Sequence, residues 1–276
     1  QVSLFGIIIS SASMIVINLD RIMIEKLMTG NSLAQVGIYT TCTYFATMVI
    51  LPNRPLQKIT STLVAEAWKR NDMDQLQLIY RKSTITQLII GTLVFFGLCI
   101  NLDYIFQIIP EQYSSGKWVI VFIGLFYLSD MAAGVNKDIV SNSPKYKKLS
   151  HWTIALIFVI ILLNFVFIPS YGITGAAVSS CIARILYNVV AYSYVNRKFH
   201  LQPYSMKHVV ILLIGGVAFL ASYFVPETGM LICDIIIKSG ILTILFCVMI
   251  YFSKVSEDVT DLVEEFRQKL GGKSRK

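Results

Sequence analysis

The sequence predicts an all-α polytopic membrane protein, on three observations. Charged residues make up only 14% of the 276, against about 25% in an ordinary soluble domain. Hydrophobic residues reach 55%, and the mean hydropathy is +0.65. The apolar residues also fall into runs of bilayer length, roughly 17–25 residues, separated by basic stretches. A water-soluble chain of this size needs polar cover that this one lacks, which excludes a free cytoplasmic enzyme, a disordered chain and a disulfide scaffold.

The apolar runs begin near Val2, Val36, Thr86, Trp118, Trp152, Gly172, Lys207 and Leu231, giving about eight transmembrane helices. The first follows Gln1 directly, with no basic segment or small-residue cleavage site before it, so it does not read as a signal peptide. The missing initiator Met predicts a fragment of a longer chain. Pro52 and Pro55 interrupt the second run. Proline removes a backbone donor and clashes with the preceding turn, so a kink or break is expected there.

Basic residues set the orientation. Arg54, Lys58, Lys69, Arg70, Arg81 and Lys82 follow the second run, and Lys137, Lys145, Lys147 and Lys148 follow the fourth. Arg197, Lys198 and Lys207 follow the sixth, and the tail adds Lys254, Arg267, Lys269, Lys273, Arg275 and Lys276. The alternate loops hold Lys26 and Lys117 alone. The basic side is therefore expected to be cytoplasmic, with both ends of the chain on it. The net charge of +8 is thus a topology signal, and no nucleic-acid partner is implied. Residues 65–84 and the tail 254–276 are amphipathic, and each is expected to lie along the membrane surface, an ordinary solvated connector being the other reading, with Ser256 as the N-cap of the tail helix.

Three segments carry a family resemblance. NLDRIMIEKLM (18–28) with QVGIYTTCTYFATM (35–48) resembles the start of the second half of a bacterial polysaccharide flippase. IPSYGITGAAVSSCIARI (168–185) resembles the Pro-x-Tyr-Gly-Ile-x-Gly-Ala-Ala hairpin of that group, and SNSPKYKKLS (141–150) its basic cytoplasmic turn. These proteins belong to the multidrug/oligosaccharidyl-lipid/polysaccharide exporter superfamily. The resemblance implies residues 1–200 as the C-terminal transport lobe of a two-lobe flippase fold and 201–253 as two additional helices, followed by the basic tail, 254–276. It implies a missing N-terminal lobe of the same protein as partner and the bacterial inner membrane as location. The implied substrate is a lipid-linked oligosaccharide, moved across the membrane for polysaccharide (capsule or O-antigen) export by alternating access.

Ionisable residues inside apolar runs are costly and face an interior or a water-filled cavity, so they are the candidate substrate-binding residues. Arg184, in the middle of the sixth run, has two readings: it binds a diphosphate through its forked guanidinium, or it forms a buried pair with Asp130, placed near the centre of the fourth. Asp20 and Arg21 are adjacent, point about 100° apart on a helix and need different partners. Asn53 and Arg54 stand at the proline break, where freed backbone is tolerated beside protein or a cavity; a cytoplasmic helix end is the other reading for Arg54. Asp234 and Lys238, four apart, are expected to neutralise one another. Asn18, Asn136, Asn164 and Asn188 are read as interhelical hydrogen bonders or sugar contacts. Gly172, Gly175, Ala176, Ala177, Ser179, Ser180 and Ala183 give the sixth run a smooth packing face.

Two rivals remain open. A multidrug/cation antiporter of the same superfamily would rely on Asp20 and Asp130. A membrane-embedded glycosyl- or acyltransferase would need clustered acids, and Asp72-Met73-Asp74 is the one such pair. The five cysteines lie in or beside apolar runs, the three histidines lack ligand spacing, and no nucleotide-binding or nucleophile-elbow motif occurs. No catalytic residue, metal or cofactor is therefore expected.

Overall fold

Residues 18–256 are described by the computed structural model of the chain. Among them the structure is entirely helical, with no sheet. Helix α1 covers 18–27, α2 Ser32–Ala46 and α3 Asn53–Lys69. Helix α4 follows at Met73–Ile100, α5 at Leu102–Ile108, α6 at Lys117–Ala133 and α7 at Asn136–Ser141. Helix α8 is Lys147–Phe199, α9 Met206–Tyr223 and α10 Leu231–Ser253.

Five helical stretches are long and apolar enough to cross a bilayer: Met73–Ile100, Glu111–Ala133, Lys147–Phe199, Met206–Tyr223 and Leu231–Ser253. The pair Ser32–Val49 and Asn53–Lys69, bent by 57°, makes a sixth if taken as one broken span. The bend falls at Pro52, as the proline rule requires. The chain is thus a multi-pass membrane protein by length and composition. The sequence count of eight differs from this one for two reasons. Its first run lies mostly in 1–17, outside the described residues, and α8 is counted once although it folds back on itself.

That reversal is a backbone event. Fifty-three residues of straight helix would reach about 80 Å, far beyond the ~30 Å hydrocarbon core. Gly172 breaks the helix with φ 57° and ψ −136°, a conformation open to glycine and costly for any side chain. The two arms then run antiparallel: Trp152 meets Tyr194 edge to face at 5.0 Å, and Leu156 and Ile160 pack with Ala183 and Tyr187. The small residues make this possible. A Cβ on Gly175 would sit 2.1 Å from the Phe167 carbonyl oxygen, so the arms touch backbone to backbone just past the turn.

Helix α6 packs along α8 and also against α2 and α4, while α9 and α10 pack on each other and on α4. A Cβ on Gly215 of α9 would lie 2.4 Å from Thr92 and 2.7 Å from Phe96 of α4, which fixes the close crossing of that pair. Outward faces are strongly apolar: Phe158, Leu162, Leu213 and Phe252 are all more than 60% exposed. Such a surface fits lipid and would be poor in water.

Three sequence expectations change here. Residues 65–84 do not form a separate surface helix: α3 ends at Lys69, Asn71 turns the chain at φ 54°, and α4 starts at Met73. Asp72 accepts a hydrogen bond from the Gln75 amide (2.9 Å) as the N-cap of α4, and that structural use accounts for half of the Asp-x-Asp pair. Asp234 and Lys238 do not pair either. Asp234 turns back to the helix start and accepts from the Thr228 amide and hydroxyl at 2.7 and 2.8 Å. Lys238 instead reaches Glu227 at 3.0 Å and lies over the Tyr104 ring. The carboxylate sits where a helix N-terminus favours it, leaving the lysine to find a loop partner. The tail expectation lies outside the described residues from 257 onward.

Gly134 ends α6 with φ 57° and ψ −129°, and a Cβ there would lie 2.4 Å from Thr84 Oγ1 and 3.2 Å from its Cα. Gly134→Ala therefore combines backbone strain of about 1–3 kcal/mol with a clash against α4. A clearly lowered unfolding midpoint in detergent is expected, whereas Gly216→Ala, with open space around it, should leave the midpoint near wild type.

Candidate functional site

Helix α6 breaks at Gly134 and α7 begins two residues later, which brings Asp130 and Lys137 to the same place from opposite sides of the turn. The second arm of α8 passes alongside and supplies Arg184 and Asn188. Arg184 donates to Asp130 twice, Nε to Oδ1 and Nη2 to Oδ2, both at 2.6 Å. Asn188 adds a 2.9 Å bond to Oδ1, and Lys137 Nζ lies 3.5 Å from Oδ2. One carboxylate thus faces two cations. The guanidinium is also held between rings, 4.9 Å from the centroid of Phe126 and 5.5 Å from that of Tyr187.

This cluster lines a cleft of about 200 Å³ together with Ile50, Asn53, Gln57, Tyr127 and Asn136. Arg184 and Asp130 are mostly buried, at 18% and 15% side-chain exposure, while Lys137 is 35% exposed. Burial, with the neighbouring Arg184 charge adding to it, lowers the Lys137 ammonium to about 8. Three buried amide atoms in the lining have no hydrogen-bond partner among the described residues: Asn53 Oδ1, Asn136 Nδ2 and Asn188 Oδ1. Leaving such atoms unpaired costs about 1–3 kcal/mol each, so the wall is suited to a polar guest. Each amide is fixed by its other end, Asn53 to Gln87 (3.3 Å), Asn136 to the Tyr80 hydroxyl, and Asn188 to Asp130.

Of the sequence candidates, Arg184, Asp130 and Asn53 come together here. Asp130 is not near the centre of its span; it lies three residues before the end of α6, because the Gly134 break stops that helix early. Arg54 is exposed and does not line the cleft; the α3 start turns Asn53 inward and Arg54 outward. Asp20 and Arg21 lie apart from it. Asp20 is 6% exposed and accepts from Tyr39 Oη (2.7 Å), Asn164 Nδ2 (2.9 Å) and Ser180 Oγ (2.6 Å). Arg21 does not line the cleft and donates to Asn18 at 3.0 Å. Ser180 and Arg184 stand one turn apart on the same arm, so the Asp20 network lies about 6 Å along α8 from the cleft. Sequence reasoning missed Lys137, Gln57 and Tyr127. The available signal for Lys137 was its place seven residues after an intramembrane acid, across a glycine.

No family model, curated protein or solved structure matches this chain. The geometry of the site therefore carries the functional reading.

Proposed function

We propose that this chain is the C-terminal lobe of a lipid-linked oligosaccharide flippase, with the Arg184 cleft receiving the anionic pyrophosphate head of the substrate. The observation that carries the reading is the charge balance of the cleft wall: two cations, Arg184 and Lys137, against the single carboxylate of Asp130. A net positive cleft inside apolar helices attracts an anion; the unpartnered Asn136 Nδ2 can donate to a phosphate or sugar oxygen, and the unpartnered Asn53 and Asn188 oxygens can accept from sugar hydroxyls. An incoming diphosphate would take over bonds that Asp130 now accepts. The cation-antiporter alternative needs free carboxylates, and both candidates are engaged, Asp130 by cations and Asp20 by three neutral donors.

The test is a reconstituted flipping assay on the lobe with its complementary half, using a lipid pyrophosphoryl sugar. With the Lys137 ammonium lowered to about 8 by burial, its charge is progressively lost as pH rises through that value, so substrate affinity should fall over the same range. Lys137→Arg should flatten that profile and Lys137→Gln should lower affinity at all pH values. Unchanged transport in Lys137→Gln, or inhibition by cationic drugs in place of anionic lipid, would favour the antiporter.

A further inference from the structure

Helix α3 crosses the cleft on its basic side and is pinned at both ends. At one end Pro52 interrupts the helical hydrogen-bond ladder, and the chain bends by 57° from the preceding helix. At the other, the Asn71 turn joins α3 to α4, and Trp68 meets Phe199 of α8 edge to face at 5.1 Å. From Asn53 the helix runs towards Lys69 and Arg70. Asn53 and Gln57 line the cleft, and Ser61, one turn further, passes beside α7.

Between its ends α3 is lightly held. Of its 17 residues three are buried, Asn53, Val64 and Ala67, and few buried contacts mark a segment of low local stability. Among the described residues, two side-chain hydrogen bonds tie it to its neighbours. Asn53 Nδ2 donates to Gln87 Oε1 of α4 at 3.3 Å, and Ser61 Oγ donates to Asp138 Oδ1 of α7 at 2.8 Å. The second bond is the shorter, and it joins α3 to the helix that carries Asn136 and Lys137 of the cleft wall. Just beyond it, Val64 and Ala67 share one apolar cluster with Val135, Ile139 and Val140, all fully buried. Asp138 Oδ2 is buried without a hydrogen-bond partner among the described residues, a cost that water would relieve if α3 lifted. One good bond and a small apolar contact thus hold α3 down, and one orphaned oxygen works against them.

We propose that α3 is a releasable strap over the cleft, fastened by the Ser61–Asp138 hydrogen bond, whose release opens the cleft to the basic face. A helix pinned at both ends moves by bowing or by rolling about its axis. Either motion carries Asn53, Gln57 and Ser61 together, because their four-residue spacing puts them on one face. The strap governs entry to the cleft and is independent of which guest the cleft receives.

Thiol labelling reads that entry. In the full chain with its five cysteines replaced by alanine, Ala133→Cys puts one thiol on the cleft wall, at a position 4% exposed. Membrane vesicles presenting the basic face are treated with a membrane-impermeant anionic methanethiosulfonate, and the labelling rate is followed. Ser61→Ala and Asp138→Ala should each raise the rate about five- to ten-fold, the worth of one hydrogen bond, and combining them should raise it no further. Ser61→Thr keeps the donor and Asp138→Asn keeps an acceptor oxygen, so both should stay near wild type. Thr62→Ala, which removes a hydroxyl bonded only to the Lys58 carbonyl of its own helix, should also change nothing. Ala218→Cys, fully buried in α9, replaces Ala133→Cys as a reporter of general loosening and should label slowly in every variant. No acceleration in Ser61→Ala and Asp138→Ala, an equal acceleration in Thr62→Ala or Asp138→Asn, or an equal acceleration at the α9 reporter would each overturn the strap.

Discussion

If the proposed transport function holds, Arg184→Ala should abolish substrate flipping as well as destabilise the protein by several kcal/mol, and removing Asp130 too should recover only the second loss. Deleting one partner of a buried pair leaves an unmatched charge, at a typical cost of about 3–5 kcal/mol. The 15–18% exposure of this pair places it towards the lower end. In Arg184→Ala the carboxylate keeps Asn188 and the more distant Lys137, so some compensation survives. In Asp130→Ala the two cations face one another with no acid between them, and this single variant should be the less stable of the two. The double variant Arg184→Ala/Asp130→Ala removes the mismatch, and its unfolding midpoint should return towards wild type while flipping stays absent. Arg184→Lys loses the forked geometry and should retain stability better than transport. Wild-type flipping by the double variant would show that the pair is architectural alone, and the transport reading would lose its main support.

The second large effect is expected at Asp20. Asp20→Ala removes the acceptor shared by Tyr39, Asn164 and Ser180, three donors on α2 and on both arms of α8. Each orphaned buried donor costs about 1–3 kcal/mol. The sum rivals the whole stability of many domains, so poor insertion or a collapse of the unfolding midpoint is expected. Asp20→Asn keeps one acceptor oxygen and should lie between wild type and alanine. Tyr39→Phe removes a single bond and should cost least. Expression level and thermal unfolding in detergent measure the order; equal tolerance of all three variants would remove the network from any account of the fold.

Much of this architecture was legible because the bilayer imposes simple rules. Apolar run length marked the crossing helices, and Pro52 marked the bent one. The turn at Gly172 was visible in Ile-Pro-Ser-Tyr-Gly, and the smooth residues after it packed as small residues do. The Arg184–Asp130 partnership was legible for a different reason: two opposite charges buried in separate spans have few other solutions. What failed depended on where helices stop. Nothing in the run from Trp118 onward signalled that Gly134 would adopt a positive φ, so Asp130 was placed too deep and Lys137 was left out. Asp234 and Lys238 had ideal spacing for a pair, but a loop residue, Glu227, and a ring from α5, Tyr104, offered the lysine more. Helix spacing sees one rod at a time, and those partners came from elsewhere. Asn53 and Arg54 were separated by the direction in which α3 begins, which sequence periodicity does not register across a break.

The second arm of α8 carries both Ser180 and Arg184. A stiff rod cannot slip at one point and stand still a turn away. Any axial slide or twist of that arm must therefore strip Ser180 from Asp20 and pull the guanidinium from its carboxylate in the same instant. Intermediate positions would leave both carboxylates short of donors at once. The two fastenings therefore hold or release the arm together, and movement by small continuous steps would need them on different rods.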